Sequence, residues 1–263
     1  MKQAGILLPL SSLPSPYGIG TMGREAYRFI DFLADSNQKI WQLLPIHQTS
    51  YGDSPYQSPS SFAGNPLLID LWELKNMGLL SAEDIKGREY GEDPAIVDYE
   101  RVISIKNELL HKAFFSFKED VNYLAFVQEN AWWLEDYALF MSLKTKFNYS
   151  AWTEWQEEYR KIDSARERAC EFSAEMDFWR WVQFEFDSEW QSLRSYAHEK
   201  GISIIGDMPI YVAHDSMDVW QSPEQFLLDE NYNPTVVAGC PPDGFSPDGQ
   251  LWGNPIYNWA LME

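Results

Sequence analysis

The sequence feature that most constrains the fold is a short apolar run that stops on a carboxylate. Residues Ile202–Ile205 read ISII, and Asp207 follows after a single glycine. A β-branched run without polar alternation predicts a strand that is buried on both faces of a parallel sheet. In such sheets the chemistry lies just beyond the carboxyl ends of the strands. Asp207 is therefore a candidate functional residue, and the alternative is that it only caps the following turn.

Two earlier segments predict further strands of the same sheet. Ala4–Leu8 is a compact apolar run before a turn region rich in Pro, Ser and Gly, and Ile40–Leu44 is a second run that ends at Pro45. Between them the apolar residues recur at helical spacing, with Thr21 as a candidate N-cap. Strand, helix and strand in this order are typical of a βα unit.

The middle of the chain predicts helices. Glu73–Phe172 has helical periodicity, clearest over Arg101–Lys118, and it is much longer than an ordinary βα connection. Another helix over Ala174–Lys200 ends at Gly201 and leads into the third strand. Leu67–Leu71 is a short apolar run that predicts an extended piece or satellite strand. The expected division along an α/β chain is 1–72, 73–172 and 173–263.

Aromatic residues point to a substrate class. The chain has 12 Trp, 14 Tyr and 15 Phe among 263 residues, which together make 16% of the sequence. Most aromatic side chains bury large areas in cores, but those on loops can stack against the faces of neutral sugars. The pairs Trp132–Trp133 and Trp152/Trp155 have both interpretations, and their helical spacing favours the core.

Charge and motif content exclude several other partners. The formal net charge of −20 repels phosphate backbones and anionic lipid surfaces, so neither nucleic acid nor a membrane is expected. None of the four His residues lies in a metal-ligand spacing, and no phosphate-cradling glycine motif occurs, so we expect no metal and no cofactor. Cys170 and Cys240 lack CxxC spacing, and no signal peptide or membrane segment is evident, which indicates a cytoplasmic protein.

Two loops rich in Pro and Gly carry the remaining candidate residues. His47–Pro66 follows the second strand and is either a substrate loop or an ordinary loop that packs on a barrel rim. Val236–Trp259 is a candidate lid or sugar-binding loop. The side chains that these loops are expected to present are Tyr51, Asp53, Ser54, Tyr56, Gln57, Asp243, Phe245, Gln250, Trp252 and Asn254. Between the loops, Asp215 with Ser216 is expected to start a helical turn, and Asp218 is interpreted as a capping residue.

Five stretches of the sequence together resemble one protein family. They read SLPSPYGIG, WQLLPI, YGDSPYQSPSSFAGNP, IIGDMPIYVAHDSMDVW and VVAGCPPDGFSPDGQLWGNPIYNW, and they occur in this order along the chain. The resemblance is to the amylomaltases, or disproportionating enzymes, which are 4-alpha-glucanotransferases of the α-amylase clan. It implies the N-terminal part of a TIM (β/α)8 barrel with a large, mostly helical insertion, and maltooligosaccharides or other α-1,4-glucans as the substrates.

The resemblance also implies which residues hold the sugar. It makes Asp207 a donor-site residue rather than the nucleophile, and it makes Trp252 a sugar-contacting side chain in the mobile loop. The substrate-binding positions that it implies are Tyr51, Ser54, Tyr56, Asp207, Asp243, Gln250, Trp252 and Asn254.

The sequence departs from the family pattern at the catalytic centre. The family's nucleophile lies in an R-x-D-H-F-R-G segment and its acid/base in an E-D-L-G segment, and neither string occurs up to Glu263. We therefore expect no catalytic residue in this chain and no transferase activity from it alone. The alternative function is a non-catalytic module that binds α-glucans. Three strands also leave a long barrel edge unpaired, which predicts self-association.

Overall fold

The structure, a computed structural model, describes residues 3–262 and divides into two compact units. Unit 1 draws on the ranges 1–48, 64–130 and 180–208, and unit 2 draws on 49–63, 131–179 and 209–263. Glu263 lies outside the described residues. Each unit combines stretches that are far apart in sequence, so the division into 1–72, 73–172 and 173–263 stays a prediction about order along the chain.

The elements alternate between short strands and helices of very different length. The strands are β1 (Gly5–Leu7), β2 (Ile40–Gln42), β3 (Ser203–Ile205), β4 (Val237–Cys240) and β5 (Gln250–Pro255). The α-helices are α1 (Arg24–Asp35), α2 (Leu71–Asn76), α3 (Ala82–Ile85), α4 (Tyr99–Ser116), α5 (Val121–Lys146), α6 (Glu157–Arg160), α7 (Ile162–Glu167), α8 (Ser173–Glu199) and α9 (Met217–Gln221). The 3₁₀ turns are Leu10–Ser12, Tyr51–Asp53, Pro66–Leu68, Trp152–Glu154, Ala169–Phe172, Pro223–Gln225 and Trp259–Leu261.

Unit 1 is built on a parallel sheet in the order β1-β2-β3. Ile6, Trp41 and Ile204 are register partners, so their side chains share one face. Trp41 is fully buried there, and its ring lies 5.1 Å from that of Phe29 on α1. The indole Nε1 of Trp41 also donates a hydrogen bond to the carbonyl of Leu8 at 2.8 Å. Three parallel strands in chain order confirm the predicted strand positions.

The opposite face of the same sheet is uncovered, so the prediction of burial on both faces is wrong. Leu7 and Ile205 are register partners of Gln42 on this face, and they are 53% and 46% exposed. Successive strand side chains alternate between faces, so complete burial requires a packed layer on each side. Among the described residues, only the face that carries Trp41 has such a layer.

Two local predictions in unit 1 are also wrong. Helix α1 starts after Gly23, and the hydroxyl of Thr21 donates to Asp70 at 2.6 Å instead of capping α1. Leu67–Leu71 is not a strand, because Asn65 caps a 3₁₀ turn and Asp70 caps α2 through its side chain, and only Ile69 and Asp70 between these elements are extended. Side-chain acceptors that bond backbone N–H groups favour helical turns over an extended path.

The long helices follow the predicted pattern. Arg101–Lys118 corresponds to α4, and Ala174–Lys200 corresponds to α8. Gly201 after α8 has φ +73, a left-handed conformation that glycine adopts without strain, which confirms its predicted role at the helix end. At the start of α3, Ser81 and Asp84 form a capping box with hydrogen bonds in both directions.

Unit 2 packs around tryptophan side chains. Trp152 and Trp220 are almost completely buried, and their indole N–H groups donate to the carbonyls of His214 and Tyr159 at 2.9 Å. Burial of Trp133 and Trp155 confirms the core interpretation for them as well. Trp132 differs: it is 65% exposed, and its ring lies 4.8 Å from that of Phe62.

The loop Val236–Trp259 contains an antiparallel hairpin that the sequence did not predict. Val237 pairs with Pro255 and Gly239 with Leu251, so β5 has two more residues than β4 between these pairs. The extra residues form a bulge over 252–254, and Gly253 within it has φ +80. Bulges bend a strand and redirect its side chains, and they are frequent near functional sites.

Candidate functional site

The first substrate-loop candidates lie on a segment with a fixed backbone. Ser50 Oγ donates to the carbonyl of Gln57 at 2.7 Å, and the backbone N–H groups of Tyr56 and Gln57 donate to Ser54 Oγ and Ser54 O at 3.2 and 3.1 Å. Tyr56 is 42% exposed. The predicted residue Tyr51 lies in a 3₁₀ turn, and its side chain is outside the part of the chain that the structure describes.

Asp243 lies at the tip of the β4–β5 hairpin, where it organises the turn. Its Oδ1 accepts the backbone N–H groups of Phe245 and Ser246, both at 2.8 Å. These hydrogen bonds, from Ser246 first and then Phe245, hold the pKa of the Asp243 carboxyl below its ordinary value. The hydroxyl of Ser246 donates to Gly249 O at 2.6 Å, which closes the turn. Asp243 is therefore ionised at neutral pH and held in place by its own loop.

Trp252 lies on the bulge of β5 and is partly open to solvent. Its side chain is 40% exposed, and its indole Nε1 donates to Gln250 Oε1 at 3.0 Å. The ring lies 6.3 Å from that of Tyr211, which in turn stacks on Tyr257 at 5.9 Å with an interplanar angle of 17°. The predicted residues Trp252 and Gln250 are thus neighbours on β5, and their side chains are joined by a hydrogen bond.

Asn254 is buried, unlike the other predicted residues of this hairpin. It is 4% exposed, and its side chain pairs with that of Gln57 on the first loop. The structure therefore brings both candidate loops together in unit 2 through an amide pair. Asp207 belongs to unit 1, where it is an exposed residue two positions beyond β3.

The two acids between the loops do not cap a helix. Ser216 caps α9 by accepting the N–H of Val219, while Asp218 accepts both the N–H and the hydroxyl of Ser61. Asp215 Oδ1 accepts the N–H of Trp152 at 3.1 Å. The capping interpretation of Asp218 is therefore wrong, because its carboxylate holds a distant loop instead of a helix end.

Asp215 also pairs with a buried cation. The Nζ of Lys144, whose side chain is 6% exposed, donates to Asp215 Oδ2 and to Ser150 O. Burial lowers the pKa of the Lys144 ammonium, and the charge of Asp215 opposes that shift. This pair joins α5 to the segment after β3 within unit 2 and fixes the approach to α9.

Sequence reasoning did not identify Tyr211 or the acceptor carbonyl of Val212 as parts of this region. A backbone carbonyl gives no sequence signal, and in the motif that contains Tyr211 only Asp207 was interpreted as a sugar-site residue. The pairing of Gln57 with Asn254 has a weak signal, since both are amide residues within motif-dense loops. Their separation of 197 residues hides the contact.

Among the described residues, no group of three or more His, Cys, Asp or Glu side chains is placed to hold a metal ion. None of the helices in residues 3–262 is long and apolar enough to cross a membrane. Unit 2 offers the part-exposed rings of Trp252 and Tyr56, the polar side chains of Ser54 and Gln250, and the carboxylate of Asp243, which is held by its own turn. Such groups suit a neutral, hydroxyl-rich ligand, because aromatic rings pack against apolar faces while amides and carboxylates bond hydroxyls.

Comparisons with known proteins identify related sequences and structures. A family model described as 4-alpha-glucanotransferase, of glycoside hydrolase family 77, matches residues 8–263. Proteins called 4-alpha-glucanotransferase from Clostridium butyricum and Thermus thermophilus are 48% and 47% identical over 97% and 98% of this chain, which covers 53% and 52% of each relative. The chain therefore spans about half the length of the curated relatives that it matches.

Solved structures agree with these relatives. The amylomaltase from Streptococcus agalactiae, in complex with acarbose, superposes with a TM-score of 0.92 at 43% identity and covers 98% of this chain, which covers 54% of that protein. The amylomaltase from Corynebacterium glutamicum superposes with a TM-score of 0.72 at 19% identity, over 97% of this chain and 36% of its own, and supports the fold alone.

Proposed function

The chain belongs to the 4-alpha-glucanotransferase family, and on that basis we propose that the protein takes part in moving α-1,4-glucan segments between maltooligosaccharides. In the proposed retaining double displacement, a carboxylate attacks the anomeric carbon and the acceptor hydroxyl later displaces it. A second carboxyl group first donates a proton to the leaving oxygen and then removes one from the acceptor.

Residues 3–262 supply sugar-holding positions in this proposal. The observation that carries it is the setting of Trp252, a 40% exposed indole whose N–H is engaged by the adjacent Gln250 while part of its ring stays open. Tyr56, Ser54 and Asp243 add hydroxyl and carboxylate partners of the kind that sugar hydroxyls require. The net charge of −20 is compatible with a neutral glucan and repels anionic polymers. Asp207 is assigned to the donor side, and Tyr51 is assigned to the acceptor or donor subsites.

We assign neither catalytic carboxylate to a residue of this sequence. Neither R-x-D-H-F-R-G nor E-D-L-G occurs in this sequence, and retention requires two carboxyl groups about 5–5.5 Å apart. We therefore propose that the 263-residue chain by itself binds glucans without transferring them. Its strands are assigned to the N-terminal part of a TIM (β/α)8 barrel, with residues 73–172 as a mostly helical insertion. The unpaired edges of the sheet are the proposed route of self-association.

Two measurements on the purified chain test this proposal. Isothermal titration with acarbose, the ligand of the Streptococcus agalactiae structure, is expected to give saturable binding. Incubation with maltotriose, in a preparation free of host enzymes, is expected to release no glucose. Glucose release would contradict the assignment of the catalytic groups, and absence of acarbose binding would contradict the assignment of the sugar site.

The second candidate is a non-catalytic α-glucan-binding module, which the missing catalytic strings favour. The two candidates differ in the effect of a complementary polypeptide. If the protein is a transferase component, mixing it with the part of the Clostridium butyricum relative that this chain does not match is expected to restore glucose release from maltotriose. A binding module would show no restored release while still binding acarbose.

A further inference from the structure

Gln57 and Asn254 form a closed pair of amide groups within unit 2. Gln57 Nε2 donates to Asn254 Oδ1 at 3.0 Å, and Asn254 Nδ2 donates back to Gln57 Oε1 at 3.3 Å. Each nitrogen has one further hydrogen bond, from Gln57 to the carbonyl of Trp252 at 3.3 Å and from Asn254 to the carbonyl of Val212 at 2.9 Å. The network therefore includes two side chains and two backbone carbonyls.

The hydrogen-bond inventory of this network limits what it can do. A side-chain amide has two N–H donors, and all four donors of Gln57 and Asn254 already have protein acceptors. Asn254 is also 4% exposed. Neither amide has an N–H left to offer a sugar hydroxyl, so a role in direct sugar recognition through donation is excluded in this conformation.

The network instead joins the three segments that carry the sugar-site candidates. Gln57 is on the 47–66 loop, Val212 follows β3 in sequence, and Trp252 with Asn254 forms the bulge of β5. The backbone of Gln57 is itself held by Ser50. A carbonyl within a bulge is displaced from the strand ladder. Here the carbonyl of Trp252 accepts a hydrogen bond from the side-chain amide of Gln57 instead.

The tip of the β4–β5 hairpin has few packing contacts of its own. Phe245 at the tip and Leu251 on β5 are 96% and 79% exposed, so they bring little packing to the hairpin. The bulge lies beside the ring of Tyr211, and the carbonyl of Trp252 within it accepts a hydrogen bond from the amide network.

We propose that Gln57 and Asn254 are positioning residues that hold the Trp252 bulge of β5 against the 47–66 loop, so that Trp252 and Tyr56 stand ready for an α-glucan before it arrives. This inference rests on the proposed function for the identity of the ligand. The amide network itself does not depend on that identity. A preorganised site binds more tightly because the ordering of its loops is complete before binding.

The test replaces the Gln57 amide by a carboxylate of nearly equal size. Gln57→Glu removes both donors at neutral pH, and the matched control Gln156→Glu makes the same charge change on an exposed glutamine in α6's N-cap position. Hydrogen exchange of the 250–255 segment, followed by mass spectrometry without any sugar, is expected to be about tenfold faster in Gln57→Glu and unchanged in Gln156→Glu. Equal exchange in wild type and Gln57→Glu would overturn the proposal.

Sugar affinity separates positioning from simple loss of structure. Titration with maltoheptaose is expected to show affinity about tenfold weaker for Gln57→Ala, for Asn254→Ala and for the double variant alike, with melting temperatures close to that of wild type. Independent residues would instead combine to roughly a hundredfold loss in the double variant, which would contradict a shared network. If wild type does not bind maltoheptaose, the proposed function fails for this chain, while the exchange experiment still decides whether the network holds the bulge.

Discussion

The sheet of unit 1 and the loops of unit 2 differ in how far their side chains are buried and hydrogen bonded. The sheet is regular, yet Leu7 and Ile205 on one face are about half exposed. Unit 2 mixes short helices and a bulged hairpin with long loops, and Asn254 on the bulge and Trp152 in a 3₁₀ turn are both buried and hydrogen bonded. Regular backbone geometry is therefore a poor guide to where this molecule is most tightly specified.

The difference follows from what each region needs. The backbone N–H and C=O groups of a strand form hydrogen bonds with neighbouring strands. Side chains on an uncovered face of the sheet are not needed for these bonds and have no layer to pack against. Irregular loops lack that ladder, so their backbone groups must be matched by side chains one at a time. Gln57, Asp218 and Asp243 all do this in unit 2, and a ligand site of fixed shape is the expected result.

The largest expected effect comes from removing a core indole of unit 2. Trp152→Ala deletes a fully buried ring and its hydrogen bond to the carbonyl of His214, and it is expected to lower the free energy of unfolding by about 3–5 kcal/mol in urea titrations. Trp132→Ala makes the same change on a ring that is 65% exposed and is expected to cost about 1 kcal/mol or less. Similar losses in both variants would remove the contrast between packed and exposed aromatic residues.

The next effect concerns the buried cation of unit 2. Asp215→Asn keeps the volume of the side chain but removes the negative charge beside Lys144, and it is expected to destabilise the protein by about 2 kcal/mol. Asp163→Asn, at a site whose side chain is 92% exposed, is the matched control and is expected to have little effect. An unchanged unfolding midpoint for Asp215→Asn would show that the pair does not hold α5 to its neighbour.

Unit 1 encloses a carboxyl group whose protonation depends on pH. Burial raises the pKa of Glu185 from 4.5 to about 7, partly opposed by the hydrogen bond from the Trp181 indole at 2.9 Å. Because the folded state holds this proton more tightly, its stabilising contribution is complete below pH 4.5 and is lost as the pH rises through about 7. Between pH 5.5 and 8 the wild type is expected to lose about 2 kcal/mol more than Glu185→Gln does, measured by urea unfolding. Parallel pH profiles would contradict this assignment.

The smallest effect on stability is expected on the uncovered face of the sheet. Leu7→Gln and Ile205→Thr change side chains that are already about half exposed, so each is expected to alter the free energy of unfolding by about 0.5 kcal/mol or less. Urea titrations of both variants measure this change. A large loss of stability would mean that this face is covered in solution.

Local patterns allowed much of the fold to be predicted. The strands β1, β2 and β3, the helices α4 and α8 and the left-handed Gly201 follow from apolar spacing and glycine conformation, which are properties of neighbouring residues. The exposed face of β3 could not be predicted in this way, because a strand pattern does not state whether a second packing layer is present. The bulge at Gly253 was missed because the turn-rich composition around it resembles an ordinary loop.

The candidate site, too, was predictable from the sequence only in part. The loops and their aromatic residues were evident from composition and from the family resemblance, and Trp252 and Gln250 do lie together. The hydrogen bonding of Asn254 to Gln57 was not evident, because the two residues are 197 positions apart in sequence. The assignments of Tyr51 and Asp207 to sugar subsites stay predictions.

We propose as the central claim that unit 2 holds a preformed α-glucan site to which Trp252 contributes a stacking ring. Isothermal titration of the 263-residue chain with maltoheptaose, beside Trp252→Ala and the exposed control Trp132→Ala, tests it most directly. We predict saturable binding by the wild type and by Trp132→Ala, with a loss of about tenfold or more in Trp252→Ala. Equal affinity in Trp252→Ala and wild type, or no binding by any of the three, would contradict the claim.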